Sequence, residues 1–262
     1  RGDFALKTYI DSSKKVKDFI FSELKDNNLK IGDRLPTETR LAEQLDVSRS
    51  SVRDALQSLK SIGLLNSSQG SGYTIIGDST ATFSEALRVI SATTPIQFTD
   101  ISEIREALEL KAIQLAIYRH VSEDSLQYLD NCVEQMKLAD TYASSQKHDI
   151  DFHKKIAELS GNPFFISFIN AFSQFSDRYI LVSWNDITTK QKEELIICHK
   201  AIVQYLREEK AEEALKEITR HYQLADDIIQ SENSNTKKSI EKILDRLYSE
   251  GFDDEQILSK LS

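Results

Sequence analysis

The sequence predicts a mainly α-helical protein, with an N-terminal winged helix-turn-helix domain followed by an all-helical bundle domain. Three observations carry this prediction. Residues 35–76 place two short amphipathic helices, a tight turn and a glycine-containing hairpin directly one after another. From Phe98 onward, apolar residues recur at helical spacing and no convincing strand appears. Between Gly77 and Gly251 the only glycine is Gly161, as expected of long helices joined by short connections.

The elements follow in order. Lys14 to Lys25 carries Val16, Phe19, Ile20 and Leu24 on one helical face. Thr37 is placed to cap a short helix whose apolar positions are Leu41 and Leu45, and Asp46 sits in the turn after it. Ser48 is the expected N-cap of the second helix, and Val47 and Val52 fit a hydrophobic staple around it. Val52, Ala55, Leu56, Leu59 and Ile62 then recur at helical spacing, and Gly63 suits the left-handed position that ends the helix. Leu64–Leu65 and Tyr73–Ile76 read as two strands joined by a loop around Gly70 and Gly72. This stripe leaves Arg49, Ser50, Ser51 and Arg53 on the outer face at the start of the second helix, where a recognition helix meets base edges.

The DNA-binding domain is therefore expected over 8–76 and a linker with a short helix over 77–97. A helical domain is expected over 98–230. Its helices are predicted near 98–118, 122–142, 145–160, 163–184, 190–208 and 211–230, with a break at Gly161-Asn162-Pro163. Residues 231–238 form a polar linker. In the tail, Ile240, Ile243, Leu244, Leu247, Ile257, Leu258 and Leu261 allow either a docked helical hairpin or a frayed end.

Charge is unevenly divided. Residues 1–77 hold 12 Lys and Arg against 10 Asp and Glu, and the remainder holds 21 against 32. DNA repels the acidic part, so affinity must come from local basic side chains and from pairing two weakly basic readers in a homodimer. No run of eighteen apolar residues occurs, so no membrane partner is expected. The opening Arg1-Gly2-Asp3 lacks a methionine, which fits a trimmed end, and shows no signal-peptide pattern. Cys132 and Cys198 are far apart with no Cys-x-x-Cys, which points to a reduced, cytoplasmic chain.

The bundle carries a second chemical pattern. Asp149 and His153 are four apart and share a helix face, and His199 and His221 lie in two later helices. Antiparallel packing can bring all four to one point. One carboxylate and three imidazoles suit a divalent ion, zinc first, with nickel, iron or manganese as alternatives. On spacing alone, packed or surface histidines are the commoner explanation. His120 and His148 read as surface residues, Cys198 as diverging from its neighbour His199, and Trp184 as core.

Two resemblances bear on these readings. Residues 35–76 resemble the GntR family of bacterial transcription regulators. The matching residues are Leu35-Pro36-x-Glu38, Leu41-Ala42-x-x-Leu45, Val47-Ser48-Arg49-x-x-Val52-Arg53-x-Ala55-Leu56, Gly63-Leu64 and Gly70-x-Gly72. One departure is Thr39, which stands where the family often has a DNA-contacting arginine; Arg40 lies one step further around the helix. The resemblance implies DNA contacts from Arg49 and Arg53, support from Thr37, Ser48, Ser50 and Ser51, and a minor-groove approach by Gln69 and Gly70.

Residues 98–230 resemble the FCD-type effector domain of the FadR subfamily. The matching residues are Ile104-Arg105, Leu108-Glu109, Asp149-x-x-x-His153, Leu159-Ser160-Gly161-Asn162-Pro163, His199-x-Ala201-Ile202 and His221. In the metal-binding branch, an aspartate and three histidines at these positions hold a divalent ion, and all four are present here. The resemblance also implies a small organic acid as effector, gripped by Arg105; an Arg105–Glu109 pair is the competing reading. Asn162 and Arg178 are further effector candidates, although Asn162 can equally serve the turn.

The expected function is a metal-dependent, effector-controlled regulator, a repressor acting as a homodimer on double-stranded operator DNA. Two other readings stay open. One is an enzyme using the Asp-His ion, for which the sequence offers no clear acid or base. The other is a purely structural metal.

Overall fold

In the computed structural model, residues 2–68, 72–139, 142–183 and 188–231 are described. Ten helices and two strands are assigned among them: α1 (Gly2–Lys25), α2 (Glu38–Leu45), α3 (Arg49–Ser61), β1 (Leu65–Ser68), β2 (Gly72–Ile75), α4 (Ser79–Thr93), α5 (Phe98–Tyr118), α6 (Glu123–Leu138), α7 (Tyr142–Leu159), α8 (Pro163–Ser183), α9 (Thr189–Arg207) and α10 (Ala211–Ser231). Two compact units divide between Arg88 and Val89, inside α4. Gln69, Gly70, Trp184 and the tail from 232 lie outside the described residues.

The first unit is a helix-turn-helix with a wing. Val16 and Ile20 of α1, Leu41 and Ala42 of α2, and Val52, Ala55, Leu56 and Leu59 of α3 form one core with Leu65 and Ile75 of the wing. α1 starts earlier than the apolar spacing from Lys14 implies. Thr37 Oγ1 accepts from Arg40 N at 3.3 Å and starts α2. Asp46 ends that helix in the left-handed conformation, at φ 49°. Ser48 Oγ accepts from Ser51 N at 3.1 Å and starts α3. Each cap satisfies a backbone N–H that the first helical turn leaves without an intrahelical partner.

The wing pairs Leu65 with Ile75 and Ser68 with Gly72 in antiparallel register. Arg34 adds an isolated bridge to Thr74. Leu35 N donates to Tyr73 O, and Ile75 N donates to Asp33 O, at 2.9 Å each. The segment before α2 thus borders the wing as a third extended piece. It was invisible in the sequence because Gly32 to Pro36 has no strand alternation.

The second unit is helical throughout its described residues. α9 packs on α10 and α6, while α7 packs on α5, α6 and α8. Its core includes Ile113 and Ala116 of α5, Leu129 and Val133 of α6, Phe152 and Ile156 of α7, Ile202 and Val203 of α9, and Ala214 and Ile218 of α10. Ser122 caps α6, and Thr188 with Gln191 forms a capping box on α9. Gly161 turns the chain at φ 59°, and Asn162 Oδ1 accepts from Phe164 N at 3.0 Å to open α8. No helix among the described residues is long and apolar enough to cross a membrane.

Among the described glycines, Gly63 is the one where an added Cβ would meet backbone most closely. Its φ is +76°, and an added Cβ would lie 2.5 Å from Asp78 O and 2.8 Å from Ala81 Cβ. Gly63→Ala is expected to cost about 1–2 kcal/mol for the left-handed backbone and about 1–3 kcal/mol for overpacking. Urea unfolding of the full chain measures this, and an unchanged midpoint would contradict the geometry.

Candidate functional site

Four side chains from three helices of the second unit converge. One ligand atom each from Asp149, His153, His199 and His221 lies within 4.8 Å of all the others. α7 supplies Asp149 and His153 one turn apart on its inner face. On α9, His199 sits in the buried stripe of Leu195, Cys198, Ile202, Val203 and Leu206. On α10, His221 follows Ala214 and Ile218 on the buried side. The imidazoles of His199 and His221 have centroids 4.4 Å apart, and His153 lies 5.0 Å from His221. Phe152 closes one side, edge-on to His199 at 4.6 Å.

Exposure is 1% for His153 and His199, 5% for His221 and 9% for Asp149. Burying these groups is costly unless each polar atom has a partner. His199 Nδ1 lies 2.9 Å from Leu195 O, which can only accept, so that nitrogen carries the hydrogen and Nε2 faces the cluster. His199 Nε2 lies 3.2 Å from Asp149 Oδ1. Even so, Asp149 Oδ1, His199 Nε2 and His221 Nδ1 have no hydrogen-bond partner although all three are buried. Unsatisfied donor atoms aimed at one point, on residues of the right chemistry, fit a divalent cation.

The electrostatics agree with that fit. Burial by itself pushes the Asp149 carboxyl up, but His153, His199 and His221 outweigh burial and hold it well below the usual carboxylate range. Burial pushes His221 well below its ordinary value, and His199 and His153 push it further. For His221 this leaves a neutral imidazole beside an ionised carboxylate, the state in which such groups bind metal.

A further layer surrounds the cluster. Glu109 of α5 is fully buried. Its Oε2 lies 2.6 Å from His153 Nδ1, and its Oε1 accepts from the Tyr222 hydroxyl at 2.6 Å. Arg105 is also buried, one turn away, with Nη2 3.8 Å from Glu109 Oε1 and its guanidinium carbon 5.8 Å from the Tyr222 ring centroid. Burial pushes the Tyr222 phenol well above its ordinary value, with Glu109 adding to the shift against the pull of Arg105, so the hydroxyl stays protonated. Tyr222 is absent from the sequence reading, where Glu109 enters as a residue matching the FCD pattern and as the competing partner of Arg105 but not as a site residue. The clue available there was a glutamate in the stripe that Ala112, Ile113 and Ala116 continue.

Other expected residues take different places. Asn162 gives its side-chain oxygen to the start of α8. Arg178 falls in α8, and its side chain lies outside the described residues. Cys198 is buried but not in the cluster, and burial pushes its thiol up to about 11. His120 is exposed and pairs with Glu209 at 2.7 Å.

On the winged helix, Arg49 and Ser50 are exposed at the start of α3. Ser51 corrects the expectation of an outward face. It is 1% exposed, and its hydroxyl lies 2.8 Å from that of Ser48, because the capping turn folds it inward. Arg53 is exposed but not unpartnered: its Nη2 donates to Glu38 Oε2 at 3.0 Å. Thr37 and Ser48 serve as helix caps.

Residues 12–75 match the profile of the bacterial regulatory proteins of the gntR family, and residues 100–224 match that of the FCD domain. The chain belongs to the GntR family. An Escherichia coli (strain K12) relative, named for regulation of an L-lactate dehydrogenase operon, is 37% identical over 155 residues, 57% of this chain and 59% of that protein. The transcriptional repressor NanR of Enterobacter is 28% identical over 230 residues, covering 79% and 83% of the two chains. A solved Streptococcus agalactiae GntR structure has 26% identity and a TM-score of 0.62, covering 81% of this chain and 98% of that one. This GntR-family chain thus matches about three-fifths of the length of the first of these relatives.

The perturbed groups set a pH dependence. The unfolded chain takes up protons at His221 and Asp149 at their ordinary values, while the folded chain resists both. The stability this adds is present above about pH 6.5 and is lost as pH falls, first through the histidine and then through the carboxyl range. Chelator-treated protein should melt progressively lower between about pH 7 and pH 4, and His221→Asn should flatten the upper part of that curve. Calorimetry across this range provides the check. Identical curves for the parent and His221→Asn would contradict the assignment.

Proposed function

We propose that this protein is a transcription regulator whose operator binding is controlled by a small organic acid at a divalent metal site in its FCD domain. The observation that carries the reading is the set of three buried, unpartnered atoms, Asp149 Oδ1, His199 Nε2 and His221 Nδ1, in a chain that also holds a winged helix-turn-helix. Asp149, His153, His199 and His221 would hold the ion. The four fill a tetrahedral shell, whereas a five- or six-coordinate ion keeps room for effector oxygens. Zinc, nickel, manganese and iron are the candidates.

The effector class follows from charge. The ion brings two positive charges and Asp149 one negative, while Arg105 and Glu109 offset each other. One positive charge remains, which a single carboxylate neutralises. Arg105 is the side chain best placed to add a two-point grip. Asn162 and Arg178 are lesser candidates.

DNA is read by the N-terminal unit, proposed to span 8–76, as a homodimer on a symmetric operator. Arg49 is the leading base-contacting residue, with Arg53 beside it. Ser48 and Ser50, with Thr37, Gln69 and Gly70, are proposed to follow the backbone and minor groove. Signal passes from the effector domain along the 77–97 segment, which contains α4, and not by direct contact of effector with DNA. Both cysteines are free thiols, in keeping with a cytoplasmic setting.

Two measurements test this reading. His199→Ala should lose bound metal and, with it, the stabilisation that an ion bound only by the folded state provides; full occupancy by elemental analysis would remove His199 from the ligand set. Arg49→Ala should cost about 1–3 kcal/mol on a selected operator and relax base preference. Titration of hydroxy-, keto- and dicarboxylic acids against labelled operator, with and without metal, tests the coupling. An acid that releases DNA must bind the DNA-bound protein more weakly by the same factor, about 5–150 for ordinary allostery. A hit that keeps its full effect after metal removal and in Arg105→Ala would overturn the mechanism.

A further inference from the structure

We infer that Glu109 is the positioning residue that sets the tautomer of His153 and so aims His153 Nε2 at the metal. The inference rests on the metal reading above and assigns a role within that site to a residue outside the ligand set.

A buried glutamate in an apolar helical stripe needs a reason. Glu109 is fully buried one turn before Ala112 and Ile113, both fully buried as well. Leucine at that position would pack without the cost of burying a charge. Glu109 instead has a partner at each carboxylate oxygen. Oε1 accepts from the Tyr222 hydroxyl at 2.6 Å, with Arg105 Nη2 3.8 Å away, and Oε2 lies 2.6 Å from His153 Nδ1. A carboxylate only accepts, so His153 Nδ1 must carry the ring hydrogen. The lone pair then sits on Nε2, the nitrogen that lies 3.7 Å from Asp149 Oδ1.

The neighbouring ligand shows the same device with a different part. His199 Nδ1 is held by the Leu195 carbonyl, which leaves Nε2 for the cluster. The carbonyl that holds His199 comes from one turn back on its own helix. His153 uses a side chain from another helix instead, so its orientation depends on α5. Tyr222 is the residue after the ligand His221, and its hydroxyl steadies the same carboxylate. One glutamate thus ties the first bundle helix to ligand-bearing α7 and α10. Carboxylate–histidine–metal arrangements raise ligand basicity and fix ring orientation, and losing the outer carboxylate typically weakens metal binding about 10–100-fold.

The experiment uses the full chain, stripped with chelator and then titrated with zinc in competition with a chromophoric chelator. Glu109→Gln, nearly the same shape, is compared with the parent. Zinc should bind the variant about 10–100-fold more weakly. Long-range ¹⁵N–¹H spectra of the imidazoles, with His153 assigned by a His153→Gln variant, should show its hydrogen on Nδ1 in both stripped and zinc-loaded parent. That spectrum needs no folded Glu109 variant, and a purely structural glutamate would not determine it. If the parent binds no zinc, both this inference and the metal reading fail. If the parent binds zinc and Glu109→Gln binds it equally well, the Glu109 assignment alone fails. A zinc-loaded parent with the His153 hydrogen on Nε2 also overturns the assignment.

Discussion

Burial of one carboxylate and three imidazoles at a single point is the constraint around which the helical unit is organised. Each of these groups would cost free energy in an apolar core without a partner. Three of their atoms have no protein partner. Two others, His199 Nδ1 and His153 Nδ1, are held by groups from outside the cluster, the Leu195 carbonyl and the Glu109 carboxylate. α5, α7, α9 and α10 must therefore keep their mutual registers to a fraction of a turn. The apolar core of Ile113, Phe152, Ile156, Ile202 and Ile218 supplies the rigidity that makes this register reproducible.

On the proposed reading, the same constraint gives the site its capacity to respond. A cation held among buried groups interacts strongly with any anion admitted beside it, because little water is present to screen the charge. Arg105 and Tyr222 add a cation and a protonated hydroxyl next to that point, and both are joined to His153 through Glu109. An arriving carboxylate that engages Arg105 would compete with Glu109 for it, so effector binding and metal geometry are physically linked.

The N-terminal unit works by local means instead. Its two short helices are set by caps, Thr37 and Ser48, and by a compact core closed by the wing. Most of this was legible in the sequence because caps, a left-handed turn and a glycine stop act over three or four residues. Ser51 was not legible, since a serine one turn into a helix looks the same on paper whether it faces solvent or folds back on its cap. The pairing of Arg53 with Glu38 was equally hidden, being a contact between residues fifteen apart on two helices.

By itself the sequence determined the helical character of the chain and the winged helix-turn-helix order, and it set Asp149 and His153 on one helix face. Periodicity, capping and the spacing of Asp149 and His153 are local properties carried by neighbouring residues. Only the tertiary structure decided that His199 and His221 meet that pair and which nitrogens of His199 and His221 are left without partners. It also decided that Glu109 belongs to the site and not merely to an intrahelical pair with Arg105. The physical reason is distance along the chain. Glu109, His153 and Tyr222 lie on three helices, and only packing can bring a carboxylate, an imidazole and a phenol from separate helices within hydrogen-bonding reach.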